Sequence, residues 1–298
     1  MKYRITHTTS YSYSEPASLS QNELYLLPGS TIHQHVTEGR VSITPEPAYL
    51  RERVDYFGNV MQTFMIQQSH KKLTITALST IETRAVSALD AQLTAPWETV
   101  VSQLAGWTGA DDLSACQYRF PSPMTIVTPE IEAYARISFP ADQPVLAGAL
   151  DLMNRIFTEF SYDKSATTID TPVDQVLACR KGVCQDFSHL MISCLRTLGL
   201  AARYVSGYLE TLPPPGKPKL VGADASHAWL SLYIPGLGWI DLDPTNNVIP
   251  GEQHITIACG RDYTDVTPVK GVVMGGGVHT MAVMVDVNRL EEPVQQPG

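Results

Sequence analysis

The sequence predicts an α+β protein in which a helix carrying a cysteine at its start packs on an antiparallel β-sheet, with a β-sandwich ahead of it. Three observations carry that prediction. Short alternating runs separated by turn signals fill residues 1–85, the pattern of half-buried strands. At Gly182-Val183-Cys184-Gln185-Asp186-Phe187-Ser188-His189-Leu190, a glycine turn delivers a cysteine into a helix. Its apolar stripe, Phe187, Leu190, Met191, Cys194, Leu195 and Leu198, recurs at threes and fours before Gly199 stops it. Downstream, Ala225–Trp229 and Gly238–Asn247 read as strands.

In residues 1–85, Tyr3, Ile5 and His7 share one side of the opening strand. Glu23–Leu27, Val41–Ile43, Val60–Ile66 and Leu73–Ser79 follow, divided by turns at Pro28-Gly29-Ser30, Pro45-Glu46-Pro47 and Gly58-Asn59. About six strands imply the sandwich. His7, His33, His35 and His70 have no metal-ligand spacing and read as strand and surface residues.

Residues 86–142 read as a connecting helical region. Trp97, Val100, Val101, Leu104 and Trp107 fall on one helical face, and Thr128-Pro129-Glu130 is a helix start with a capping threonine and proline in first position. A second folded domain is expected over 143–290. A long helix carries Val145, Leu146, Leu150, Met153, Phe157 and Phe160, and Thr171-Pro172-Val173-Asp174 opens a brief one. Ala201–Leu209 then alternates as a strand, and Pro213–Pro218 suggests a stiff exposed loop. Val266–Gly277 reads as loop, His279–Val287 as a late strand joining the core sheet, and residues 291–298 as a frayed tail.

Composition narrows the class of function. Of 298 residues, 44% are hydrophobic and 17% charged, ordinary for a folded protein. A net charge of −9 disfavours nucleic acid and anionic membranes as partners. No opening apolar run suggests a signal peptide, and the reading is a cytoplasmic protein. Five cysteines, at 116, 179, 184, 194 and 259, are too irregularly spaced for a disulfide framework or a zinc knuckle. No cofactor or metal is expected.

The chemistry concentrates on Cys184. In the first turn of its helix, unpaired backbone N–H groups and the helix dipole favour the thiolate, the nucleophilic form, and Arg180 and Lys181 add positive charge. On that stretch alone, a nucleophile and a small buried thiol are equal readings. The order Cys184, His227, Asp243 decides between them, because it supplies nucleophile, base and orienter. Alternation places His227, Trp229, Ser231 and Tyr233 on one face, opposite an apolar one, and groups Trp239, Asp241 and Asp243 on the next strand. Either aspartate could orient the histidine.

Gly-Val-Cys-Gln-Asp at 182–186, Ser-His-Ala-Trp at 226–229 and Gly-Trp followed by Asp-Pro-Thr at 238–245 resemble the core of bacterial members of the transglutaminase-like superfamily. The resemblance runs from about Phe160 to Asn247 and more loosely over the N-terminal region. It implies a papain-like, transglutaminase core and a Cys184–His227–Asp243 triad, with Asp243 matching the Asp-Pro-Thr aspartate. The expected reaction is acyl transfer through a thioester, from a glutamine carboxamide or peptide bond of a protein or peptide substrate to an amine. A cysteine peptidase or amidase using water needs the same residues, and a silent binding module on this fold would be favoured by loss of one of them. For the oxyanion the Cys184 N–H is expected, with Tyr162 as side-chain candidate. Gln185, Asp186 and Trp229 read as support, and His189 as structural.

Register imposes one further condition. In a hairpin an even connection sets Asp243 across from Leu230, whereas a five-residue connection, Tyr233 to Leu237, sets it across from His227. The expectation is therefore a three- or five-residue connection, or an equivalent bulge.

Overall fold

A computed structural model describes residues 1–86, 88–106, 109–211 and 226–290. The expectations for Trp107, the Pro213–Pro218 loop and the tail at 291–298 lie outside the described residues.

The first strand, β1 (Lys2–Leu24), is far longer than its sequence signals suggest. Residues 3–13 lie between β5 (His70–Thr83) and the late β13 (His279–Arg289), and residues 17–24 between β4 (Val60–Ile66) and β12 (Val269–Gly275). The register breaks between Ser12 and Ala17, so one long strand serves two stretches of a single seven-stranded sheet. The outer strands are β2 (Gln34–Thr44) against β5 and β3 (Tyr49–Val54) against β4. Leu24, Phe64 and Ile66 meet Leu73, Ile75 and Ala77 in the core of this sandwich.

Two expectations change at the C-terminal end. Residues 269–275 form β12 rather than loop, and β13 joins the N-terminal sheet rather than the core sheet. The glycines that suggested a loop serve the strand: a Cβ at Gly271 would collide with the Gln21 carbonyl oxygen.

In chain order the helices α1 (Trp97–Gly106), α2 (Ala110–Cys116), α3 (Pro129–Arg136), α4 (Val145–Glu159) and α5 (Val173–Cys179) follow the N-terminal strands. Val100 and Leu104 of α1 are fully buried, and the Thr128 hydroxyl caps α3 by accepting from the Ile131 N–H. After α5, β7 (Lys181–Gly182) pairs in parallel with β6 (Ser161–Tyr162), which precedes α5, and the chain enters α6 (Cys184–Thr197). This helix is buried from Asp186 through Arg196. One side packs on the strands β8 (Ala202–Leu209) and β9 (Ser226–Ile234), the other on α3, α4 and α5.

The core sheet is antiparallel, in the order β10 (Gly238–Leu242), β9, β8, β11 (His254–Gly260). Three residues, Pro235, Gly236 and Leu237, connect β9 to β10, pairing Ile234 with Gly238 and Leu230 with Leu242. The parity is as expected, but the ladder ends before Asp243, which bridges to Val248. Both faces of β9 are covered, so Trp229, Ser231 and Tyr233 are buried too. Asp241 holds Trp229 and Ser231, and Asp112 of α2 accepts from the Tyr233 hydroxyl.

Sandwich and core are joined by polar contacts. The edge strand β11 has its outward amides satisfied: Gln34 accepts from the Thr256 N–H and donates to its carbonyl, and Asn59 does the same for Cys259. An edge that could pair with another chain is thereby closed. Nearby, Tyr3 and Arg289 both donate to Glu210, at 2.9 and 2.7 Å. His7 bonds Tyr208 at 2.7 Å and Thr9 at 3.0 Å. His7 and His70 are thus buried rather than surface residues, and desolvation lowers the His7 pKa to about 4.

Candidate active site

The cysteine is set by what happens just before it. Gly182 lies against Asp186, and any Cβ there would meet the aspartate side chain at 2.7 Å. That closeness lets Asp186 accept from the Val183 N–H (2.8 Å) and from the Thr167 hydroxyl (2.7 Å), capping α6. Cys184 is then the first residue of the helix, half-buried, with its carbonyl taken by the Ser188 hydroxyl. Arg180 and Lys181 do not serve it as expected. Arg180 pairs with Glu159 and stacks over Phe160, while Lys181 lies 3.8 Å from Asp163.

His227 Nε2 lies 2.7 Å from Asp243 Oδ2, and the imidazole and Cys184 line the same cavity. With Nε2 committed to the aspartate, Nδ1 is the ring nitrogen left for proton transfer in the cavity. Burial opposes a charged imidazole, but Asp243, with Cys184 nearby, outweighs it and raises the His227 pKa to about 10.

Asp243 is fully buried. Desolvation alone would raise its pKa, yet donation from His227, His254 and Asn246 holds the carboxyl well below the usual carboxylate range. The turn after β10 wraps around it: Oδ1 accepts from the Thr245 and Asn246 N–H groups at 3.0 and 3.3 Å, and Oδ2 from Asn246 Nδ2 at 2.7 Å. Asp241, the other possible orienter, is instead held by Trp229 Nε1 and the Ser231 hydroxyl.

His254 and Asn246 are partners that the sequence reading misses. His254 Nε2 reaches Asp243 Oδ2 at 3.0 Å from β11, and its ring lies 5.3 Å from that of Trp229. The ligand atoms of His227, Asp243 and His254 lie within 4.8 Å of one another, so this set could hold a metal ion. Their hydrogen bonds to Asp243 already account for both histidines.

The supporting residues separate by position. Trp229 is buried beside His227, with rings 6.0 Å apart. Gln185 donates to the Ile169 carbonyl at 3.0 Å, tying the preceding loop to α6. Tyr162 is half-exposed, and burial together with the nearby Cys184 and Asp186 raises its pKa. His189 is buried and accepts from the Tyr263 N–H, a packing role.

Cys184 and His227 open onto a cavity of about 290 Å³. Tyr204, Ser206 and Ala228 of the core sheet line it on one side, and Thr9, Tyr11, Met281 and Val283 of the sandwich on the other.

A helix-borne cysteine beside a histidine–aspartate pair, on an antiparallel sheet, defines the papain-like class of cysteine-containing folds. Residues 133–244 match the model of the transglutaminase-like superfamily, and residues 3–82 that of the bacterial transglutaminase-like N-terminal region. An uncharacterized protein of Mycobacterium tuberculosis is 37% identical over 294 residues, covering 96% of this chain and 92% of that protein. The chain belongs to the transglutaminase-like superfamily. A protein-glutamine gamma-glutamyltransferase of Pseudomonas aeruginosa is 33% identical over 123 residues, 40% of this chain and 18% of that one. A solved structure named "Putative Cysteine Protease", from Cytophaga hutchinsonii, superposes with a TM-score of 0.75 at 22% identity, covering 98% of this chain and 92% of that one. It has the same fold. Among the described residues, no helix is long and apolar enough to cross a membrane.

Proposed function

We propose that the protein catalyses cysteine-dependent acyl transfer at a carboxamide or peptide carbonyl of a protein or peptide substrate, with Cys184, His227 and Asp243 as the triad. The observation that carries this reading is the His227–Asp243 hydrogen bond with Cys184 and His227 lining one cavity. The Cys184 thiolate attacks the carbonyl carbon and the carbonyl electrons move to oxygen. His227 then gives its Nδ1 proton to the departing ammonia or amine, leaving a thioester. An incoming amine or water loses a proton to His227, attacks the thioester, and returns the cysteine to its starting state. Asp243 fixes the ring through Nε2 and stabilises its cation.

The Cys184 N–H lies in the first turn of α6, where no earlier residue of the helix can accept it, and so suits the oxyanion. Tyr162 is the side-chain candidate beside it, whereas the Gln185 amide is already engaged with Ile169.

The glutamine transferase among the relatives favours an amine as second substrate, and the name of the Cytophaga structure favours water. A reducing compartment such as the cytoplasm agrees with five cysteines that are all free. The test is mass spectrometry of glutamine-containing peptides incubated with the protein, with and without a primary amine. Amine incorporation is the expected result, cleavage or deamidation would assign a hydrolase, and no reaction with either would leave a binding module.

A further inference from the structure

The sandwich does more than cover the core sheet. On the face that β1 and β13 turn toward the core, cross-strand neighbours change character along the strands. Ile5 with Val287 and His7 with Val285 are buried at the joint. The next pairs, Thr9 with Val283 and Tyr11 with Met281, line the cavity that holds Cys184 and His227. Met281 and Val283 are 59% and 45% exposed, apolar side chains left open beside a nucleophile. Among the described residues, the lining contains no Asp, Glu, Lys or Arg. Pro268 and Val269 extend its apolar character beside Tyr263.

We propose that this wall is a substrate-recognition surface, and that it takes an uncharged, apolar side chain of the polypeptide next to the carbonyl that Cys184 attacks. The inference rests on Cys184 being the nucleophile. The occupant follows from continuity: whatever places its carbonyl at Cys184 must lie in this cavity, against Met281 and Val283. An apolar side chain there removes their exposed surface from water, whereas a charged one would be desolvated without a partner. The sandwich thus contributes selectivity, and the core contributes the chemistry.

Rates of Cys184 alkylation test this without a known substrate. Iodoacetamide, chloroacetyl-phenylalanine amide and chloroacetyl-aspartate amide are compared on the wild type and on Met281→Asp and Val283→Asp, both exposed positions that a polar residue leaves folded. The phenylalanine probe should outpace the aspartate probe by tenfold or more, about the effect of one apolar contact in a pocket. Each variant should erase that preference while leaving the iodoacetamide rate within about twofold. Equal rates for the two amino-acid probes, with iodoacetamide still selective for Cys184, would overturn the wall and spare the nucleophile. Failure of iodoacetamide to label Cys184 would overturn both. A dimer that Met281→Asp converts to monomer would assign the face to a second copy of the chain and overturn the proposal.

Discussion

His254 Nε2 lies 3.0 Å from Asp243 Oδ2, the same oxygen that His227 reaches at 2.7 Å. Two imidazoles from different strands therefore bracket one buried carboxylate. His254 is not among the residues that line the cavity, and its hydrogen bond is to Asp243, through which it acts. His254→Ala should lower kcat/KM about tenfold, the equivalent of one charge-assisted hydrogen bond, mainly through kcat. His254→Gln keeps a donor and should recover most of the loss. Equal loss in both variants with a lowered Tm would reduce His254 to packing.

The pH profile follows from His227. Its pKa is raised to about 10, so the imidazolium that protonates the leaving amine persists through neutral pH and is lost as pH rises through about 10. kcat/KM should therefore fall on that alkaline limb. Asp243→Asn removes the strongest partner that holds the proton, and the limb should move down toward the ordinary value of 6.5 or below it. An unmoved limb would assign it to another group.

Stability should respond in opposite directions at the two ends of the pH scale. Asp243 is depressed below its ordinary value of 3.8, so its contribution is complete above that pH and drains away as pH falls through the lower folded value. The raised His227 contributes fully below 6.5 and loses its share as pH rises through about 10. Both describe largely one interaction and are not added. In denaturant titrations across pH, Asp243→Asn should flatten the acid slope; an unchanged slope would contradict the assignment.

Gly182→Ala tests how Cys184 is placed. The new methyl group meets Asp186, which must withdraw from the Val183 N–H and uncap α6. A loss of about 1–2 kcal/mol is expected, typical of a broken N-cap, together with slower alkylation of Cys184. Unchanged stability and reactivity would mean that the cap is dispensable.

Much of this site was legible because its chemistry sits in short motifs. The turn before Cys184 and the strand of His227 follow from local pattern, whereas the odd length of the 235–237 connection follows from requiring His227 to meet Asp243. His254 did not, since a lone histidine 11 residues beyond Asp243 gains meaning only when β11 joins the sheet beside β8. The same reason hid the end of the chain. Nothing local tells β12 and β13 to pair with β1, more than two hundred residues away, and the glycines of β12 imitate a loop. Arg180 and Lys181 misled for a related reason: their carboxylate partners Glu159 and Asp163 lie outside the motif.

The central claim, that Cys184 carries the acyl group, is tested most directly by intact-mass spectrometry of acid-quenched protein after brief exposure to a glutamine-containing peptide. The account predicts an adduct with the mass of the peptide less ammonia, localised to Cys184, sensitive to hydroxylamine, and absent from Cys184→Ala, which should keep its fold but lose turnover. Turnover retained by Cys184→Ala, or an adduct on the exposed Cys179 instead, would contradict it.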